Sequence, residues 1–335
     1  MKYYDIPNKK FDLYGIMHDD HNGFFRLPPN IAQMVSKEVV KFGMNTSGGR
    51  IRFRTNSQYL DLVVEYNAFE HMSHMALLGS SGFVLVEEKN DYKTARILPP
   101  KLFENKGYHL LVKLGNGEEM MDYTLFFPLY NNVQKLSIGL DDGAIVQNGK
   151  PYRDILPILY YGSSITQGAC ASRPDKNYPS LINKWNNIDF INLGFSESGK
   201  AEEIMVNYLA SIDCSIFVCD YDYNAPTVEY LQNTHRRLYE LYRAKRANTP
   251  ILFISRADVH WDKSCKQRFE IIKATYDYAK ANGDNNVYII NGADTYAGED
   301  RDCCLVDEIH PNDFGFYRYA KAVYNKMKEI SEDFI

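Results

Sequence analysis

Two serines in the string Gly162-Ser163-Ser164 follow an apolar run, Ile158 to Tyr161, with the character of a strand buried on both faces. A strand that breaks at Gly-Ser-Ser delivers a hydroxyl to the carboxyl edge of a sheet, where open α/β folds gather their chemistry. A serine hydroxyl is a weak nucleophile. It needs a base, a group that orients the base, and donors for an oxyanion. Asp307 and His310 are of the right types for base and orienting group. Three apart, with Pro311 suited to open the helix that follows, they share one face of a turn. The carboxylate can then accept from the histidine Nδ1–H and leave Nε2 as the base. The competing use of Asp307 or Asp313 is to cap that last helix. Asn224, ahead of Ala225-Pro226, offers either a side-chain oxyanion donor or a turn residue. A second such string, Gly79-Ser80-Ser81-Gly82, lies between two apolar runs and reads as a hairpin loop.

The elements that must position these groups divide the chain near its middle. Residues 1–150 read as an all-β sandwich domain, with short runs at Arg50 to Phe53, Leu60 to Tyr66, Met75 to Leu78, Phe83 to Glu87, Tyr108 to Leu114 and Met121 to Phe127. One helical patch is expected near Pro29 to Phe42, and Asn116-Gly117 and Asp142-Gly143 are tight-turn signals. After a break at Gln147 to Pro151 the pattern changes. Apolar strands at Ile158 to Tyr161, Phe190 to Leu193, Ser215 to Cys219, Ile251 to Ser255 and Val287 to Ile290 alternate with helices. Those helices are expected near Tyr178 to Trp185, Ala201 to Leu209, Thr227 to Arg246, Lys263 to Asn282 and Asn312 to Ile330. Repeated β-α units of this kind predict a doubly wound parallel sheet, flavodoxin-like with five strands, over residues 151–335.

Composition sets outer bounds. With 335 residues there is room for two cores, and a net charge of −5 leaves no footprint for nucleic acid or an anionic membrane. No apolar run approaches the roughly 18 residues of a membrane span, and no export signal is visible at the start, so the expected location is cytoplasmic. The six cysteines lie in the second half without a C-x-x-C pair, which points to free thiols and no zinc site. His18, His21, His71, His74 and His109 read as surface or packing residues, since nothing near His71 and His74 completes a metal-ligand set.

Serine, glycine-rich loop, asparagine and Asp-x-x-His thus stand at four predicted strand ends in that order. As an ordered set they resemble the SGNH hydrolase (GDSL-type esterase) superfamily. Gly162-Ser163-Ser164 is similar to its first block with Ser163 in place of the usual aspartate. Asn192-Leu193-Gly194-Phe195-Ser196 is similar to the second block, Asn224 to the third, and Asp307 to Pro311 to the last. Phe127 to Asn131 and Leu136 to Gly139 resemble the β-sandwich domain that precedes some such esterases.

The resemblance implies a serine ester hydrolase without cofactor or metal, removing a small acyl group such as acetyl from a carbohydrate or similar small ester. Ser164, last in its block, is then the nucleophile, His310 the base and Asp307 its orienting partner. The N–H groups of Ser164 and Glu197 and the Asn224 side chain would form the oxyanion hole. Glu197 stands where the family usually has glycine, so Gly199 is the alternative donor. The α/β-hydrolase elbow G-x-S-x-G is absent around Ser164. Arg256, His260 and Trp261, at the fourth strand end, are candidate substrate contacts. Two other readings are a carbohydrate-binding protein without activity and a lipase- or thioesterase-type acylhydrolase.

Overall fold

The computed structural model describes residues 1–89, 92–101 and 106–334. The chain divides into two compact units. The first comprises Met1–Leu27, Met44–Tyr152 and Ser172–Asp175; the second comprises Pro28–Gly43, Arg153–Ala171 and Lys176–Ile335. The helical patch expected near Pro29 to Phe42 forms as two short helices, Pro29–Val35 and Lys37–Gly43, and these belong to the second unit.

In the first unit one antiparallel sheet runs in the order Lys2–Ile6, Asn132–Leu140, Tyr59–Ala68, Gly107–Lys113. A second has Arg50–Thr55, Met121–Phe126 and Phe83–Lys89 at its centre. Alternation along Tyr59–Ala68 sets the layering. Leu60, Leu62, Val64 and Tyr66 point into a core shared with Phe53, Leu85 and Tyr123 of the other sheet, while Glu65 points out.

The stretch expected as a strand and hairpin loop at residues 75–82 differs. Leu77–Ser81 is a helical turn, and Gly79, Ser80 and Ser81 are buried. Non-local polar contacts decide it: Leu129 N–H donates to Gly79 O and Tyr130 N–H to Ser80 O, while the Tyr66 hydroxyl donates to Ser81 O. These groups would be orphaned by a solvent-facing hairpin.

The second unit holds β1 (Ile158–Gly162), α1 (Ser164–Gln167), α2 (Tyr178–Asn186), β2 (Phe190–Gly194), α3 (Glu203–Leu209), β3 (Ile216–Asp220), α4 (Val228–Lys245), β4 (Ile251–Ile254), α5 (Lys263–Ala281), β5 (Val287–Ile290) and α6 (Asp313–Ile330). The five strands are parallel in the order β2-β1-β3-β4-β5, the flavodoxin-like arrangement. Strands β1 and β3 are buried throughout, as their unbroken apolar runs require. Side-chain caps start α4, α5 and α6: Thr227 accepts from Tyr230 N–H, Asp262 from Cys265 N–H, and Asn312 from Phe314 and Gly315 N–H. Among the described residues no helix is long and apolar enough to cross a membrane.

Candidate active site

The chemistry-bearing residues gather where β1, β2 and β3 end. Close approach of the backbone fixes the first turn. A Cβ on Gly162 would lie 2.2 Å from Thr166 Oγ1 and 2.4 Å from Asp220 O, so only glycine lets β1 pass there. The two serines that follow have different partners. Ser163 is the cap of α1: its Oγ accepts from Ile165 N–H (3.2 Å) and its N–H donates to Asp220 O (3.1 Å). Ser164 Oγ is 2.9 Å from His310 Nε2.

The cap of α6 is Asn312, which leaves Asp307 for another use. Asp307 Oδ1 accepts from Ile309 N–H (2.8 Å) and His310 N–H (2.6 Å), and Oδ2 lies 2.8 Å from His310 Nδ1. Burial alone would raise this carboxyl, but the three hydrogen bonds and the facing imidazole pull it down to about 2. It is therefore a carboxylate across the working range of most enzymes. With Nδ1–H donating to it, Nε2 is left to accept the Ser164 hydroxyl proton.

The loop after β2 is stitched to this turn. Phe195 N–H donates to Gly162 O (2.9 Å), Ser196 N–H to Gln167 Oε1 (3.1 Å) and Asn192 Nδ2 to Thr166 O (2.7 Å). Phe195 O accepts from Asn224 Nδ2 (2.7 Å), Ser198 N–H (3.1 Å) and Gly199 N–H (3.3 Å). The Gly199 amide is thus already engaged, whereas among the described residues neither Ser164 N–H nor Glu197 N–H has an acceptor. Glu197 itself is exposed and sits at φ +55°, in the left-handed region that favours glycine. Of the candidate substrate contacts past β4, Arg256 is already committed.

That residue forms a two-toothed ion pair with Asp258 (2.5 and 2.6 Å) and lies over the Tyr223 ring at 4.7 Å. Against its burial, Asp258 holds the guanidinium above its ordinary value. His260 and Trp261 are exposed, Trp261 by 61%, and the Trp261 amide donates to Asp258 O (2.8 Å). No group of three or more metal-ligating side chains occurs among the described residues.

Beneath the turn lie residues that the sequence reading did not single out. Asp222 and Arg268, 1% and 4% exposed, pair at 3.0 Å. Arg268 also donates to the carbonyls of Asp222 and Ala225, on either side of Asn224. Asp222 Oδ2 accepts from Arg256 N–H at 2.9 Å. The pair therefore pins the turn that carries Asn224. An Asp two residues before a candidate site Asn, with an Arg on a later helix, carried no distinguishing local signal. His235, buried against Thr275 with burial holding it down to about 3, is a neutral packing residue.

A flavodoxin-like parallel sheet with these side chains at its carboxyl edge, in a chain that also holds a β-sandwich unit, is the architecture of the SGNH-type esterases. The chain belongs to the GDSL-like lipase/acylhydrolase family, whose model matches residues 156–328. Residues 1–146 match the model of the N-terminus of SGNH-hydrolase-type esterases. Among solved structures, a chain described as a GDSL-like lipase from Bacteroides ovatus ATCC 8483 shares 26% identity, with 98% of each chain covered and a TM-score of 0.87. The salicylyl-acyltransferase SsfX3 of a tetracycline biosynthetic pathway shares the fold at 17% identity, covering 98% of this chain and 97% of its own, with a TM-score of 0.80. The acetyl xylan esterase Est2A from the rumen bacterium Butyrivibrio proteoclasticus shares it at 13% identity, with 98% of each chain covered and a TM-score of 0.61. No curated protein matches the chain. By family the protein is an esterase or acylhydrolase.

Proposed function

We propose that the protein is a serine esterase that removes a small acyl group, acetyl in the first instance, from a carbohydrate or similar small ester. The observation that carries the reading is the run of contacts Ser164 Oγ, His310 Nε2, His310 Nδ1, Asp307 Oδ2, at 2.9 and 2.8 Å. In the mechanism, Ser164 Oγ attacks the ester carbonyl as its proton passes to His310 Nε2. Asp307, ionised, stabilises the imidazolium. The oxyanion takes the two uncommitted amides, of Ser164 and Glu197, and the second N–H of the Asn224 side chain. One such donor is typically worth on the order of 10²–10³ in turnover. The imidazolium then gives its proton to the departing alcohol. Water, deprotonated by His310, attacks the acyl-serine; the imidazolium returns that proton to Ser164 Oγ as the acid leaves and the free serine is restored.

The fold shared with an acetyl xylan esterase supports a small acyl group on a sugar. Exposed Trp261, with an apolar face for a pyranose ring, and exposed His260 beside it in sequence support a carbohydrate leaving group. None of the six cysteines is in a disulfide, which fits the cytoplasm as the location. A second reading, transfer of the acyl group to an acceptor other than water, draws support from the fold shared with a salicylyl-acyltransferase.

The test is a panel of acyl esters. Acetylated sugars should give a higher kcat/KM than esters of the same alcohols with acyl chains of eight or more carbons. A preference for the long chains would overturn the small-acyl assignment. Release of free acetate in step with alcohol separates hydrolysis from transfer.

A further inference from the structure

A buried carboxyl that the mechanism does not use lies behind the nucleophile turn. Asp220, the last residue of β3, is fully buried. Its Oδ2 accepts from two hydroxyls at once: Thr166 Oγ1 at 3.1 Å and the Tyr319 hydroxyl at 2.8 Å. Thr166 stands two residues after Ser164 in α1, and Tyr319 stands in α6, the helix that begins three residues after His310. The Tyr178 hydroxyl, 3.2 Å from Thr166 Oγ1, extends the chain to α2. The Asp220 backbone carbonyl also accepts from Ser163 N–H, the residue before the nucleophile. Oδ1 is buried and accepts from nothing among the described residues. Both donors therefore converge on one oxygen atom.

We propose that Asp220 is a positioning residue that holds the nucleophile turn and the histidine-bearing helix at their working separation, through Thr166 on one side and Tyr319 on the other. The inference rests on the reading of Ser164 and His310 as the reacting pair. The physical need is plain. Ser164 and His310 belong to elements 146 residues apart in sequence, and a misplacement of about 1 Å can cost on the order of 10²-fold in rate. Backbone hydrogen bonds within α1 and α6 fix each element internally but not the distance between them. A shared acceptor does. One oxygen bonded to a side chain of each helix sets their separation to the sum of two hydrogen bonds. A carboxyl is suited to the task because one oxygen can accept two donors.

The experiment compares Thr166→Val, Tyr319→Phe, their combination, Asp220→Asn and Asp220→Ala on p-nitrophenyl acetate. Turnover is normalised to the active fraction titrated with a fluorophosphonate, so that a loss of folded protein does not enter the rate. Thr166→Val and Tyr319→Phe should each lower kcat about tenfold or more with KM within about twofold. The double variant should lose little beyond the worse single one, because a clamp open at one end no longer sets a distance. Asp220→Asn, which keeps an acceptor oxygen, should retain far more of kcat than Asp220→Ala. Unchanged kcat in both folded single variants, or a rise in KM at constant kcat, overturns the proposal. Ser164→Ala, run alongside, separates the two levels. Turnover that survives in Ser164→Ala refutes the reacting pair and the clamp with it. An inactive Ser164→Ala with undiminished Thr166→Val and Tyr319→Phe refutes the clamp alone.

Discussion

Replacing Arg268 by methionine should be among the most damaging single changes in the second unit, although Arg268 stands 44 residues from Asn224 and acts only beneath it. The guanidinium spends Nε on Asp222 Oδ1 and Nη2 on the carbonyls of Asp222 and Ala225, with both partners of the ion pair at least 96% buried. Methionine fills much of the volume and removes every one of these donors. It leaves the Asp222 carboxyl buried, with only the Arg256 amide donating to Oδ2. Burial already pushes that carboxyl above its ordinary value even with Arg268 in place. Breaking a buried pair from one side costs about 3–5 kcal/mol, a large part of the 5–15 kcal/mol that holds a typical domain folded. With a urea m-value of about 1–3 kcal/mol/M, the midpoint should fall by at least about 1 M. Urea unfolding followed by circular dichroism reads this directly. The double variant Asp222→Asn, Arg268→Met removes the stranded charge as well and should recover part of the loss. A midpoint for Arg268→Met equal to that of the parent, or a double variant no better than the single one, would refute the account of this turn.

Glu197→Gly should leave turnover within a few-fold, because the proposed donor is the backbone amide. Its stability should stay within about 1 kcal/mol, since relief of a left-handed non-glycine residue, about 1–2 kcal/mol, is offset by glycine's unfolded-state entropy. Asn224→Ala deletes a side-chain donor and should cost at least about tenfold in kcat; a Glu197→Gly variant that is folded and inactive would instead give the carboxylate a role. The pH dependence of stability has a stated sign. Burial, joined by the charge of Asp222 and opposed by the bonds from Tyr319 and Thr166, pushes Asp220 up to about 7 from its ordinary 3.8. A carboxyl raised in this way stabilises the fold fully below pH 4 and loses that contribution as the pH climbs to 7. The loss amounts to as much as about 4 kcal/mol. Asp220→Asn should flatten the decline, measured as urea midpoints from pH 4 to 7, and an unchanged slope would argue that the carboxyl titrates normally.

The β-α alternation of the second half was readable because buried parallel strands are unbroken apolar runs and α4, α5 and α6 open on the side-chain caps Thr227, Asp262 and Asn312. The candidate chemistry was readable for a related reason: Ser164, Asn224, Asp307 and His310 all follow strand ends, where polar residues interrupt apolar ones. What stayed hidden depends on partners far away in the chain. Residues 77–81 look like a strand and a turn locally, and become a helical turn only because Leu129, Tyr130 and Tyr66 supply hydrogen bonds. The membership of residues 28–43 in the second unit is likewise a matter of packing: Pro29–Val35 lies against Glu203–Leu209. Asp220, Asp222 and Arg268 could not be told from ordinary polar residues, since each is defined by what it touches. Arg256 reads from the sequence as a candidate substrate contact, yet its guanidinium is taken up by Asp258, two residues on.

The central claim is that Ser164, activated by His310, is the nucleophile, and that its neighbour Ser163 serves only as a helix cap. Incubation with a fluorophosphonate, followed by proteolysis and mass-spectrometric mapping, tests it most directly. The account predicts stoichiometric labelling at Ser164, full loss of turnover in step with labelling, and a rate of labelling that collapses in His310→Ala while Ser163→Ala still labels. A label on Ser163, or an active protein that takes up no label at all, would contradict it.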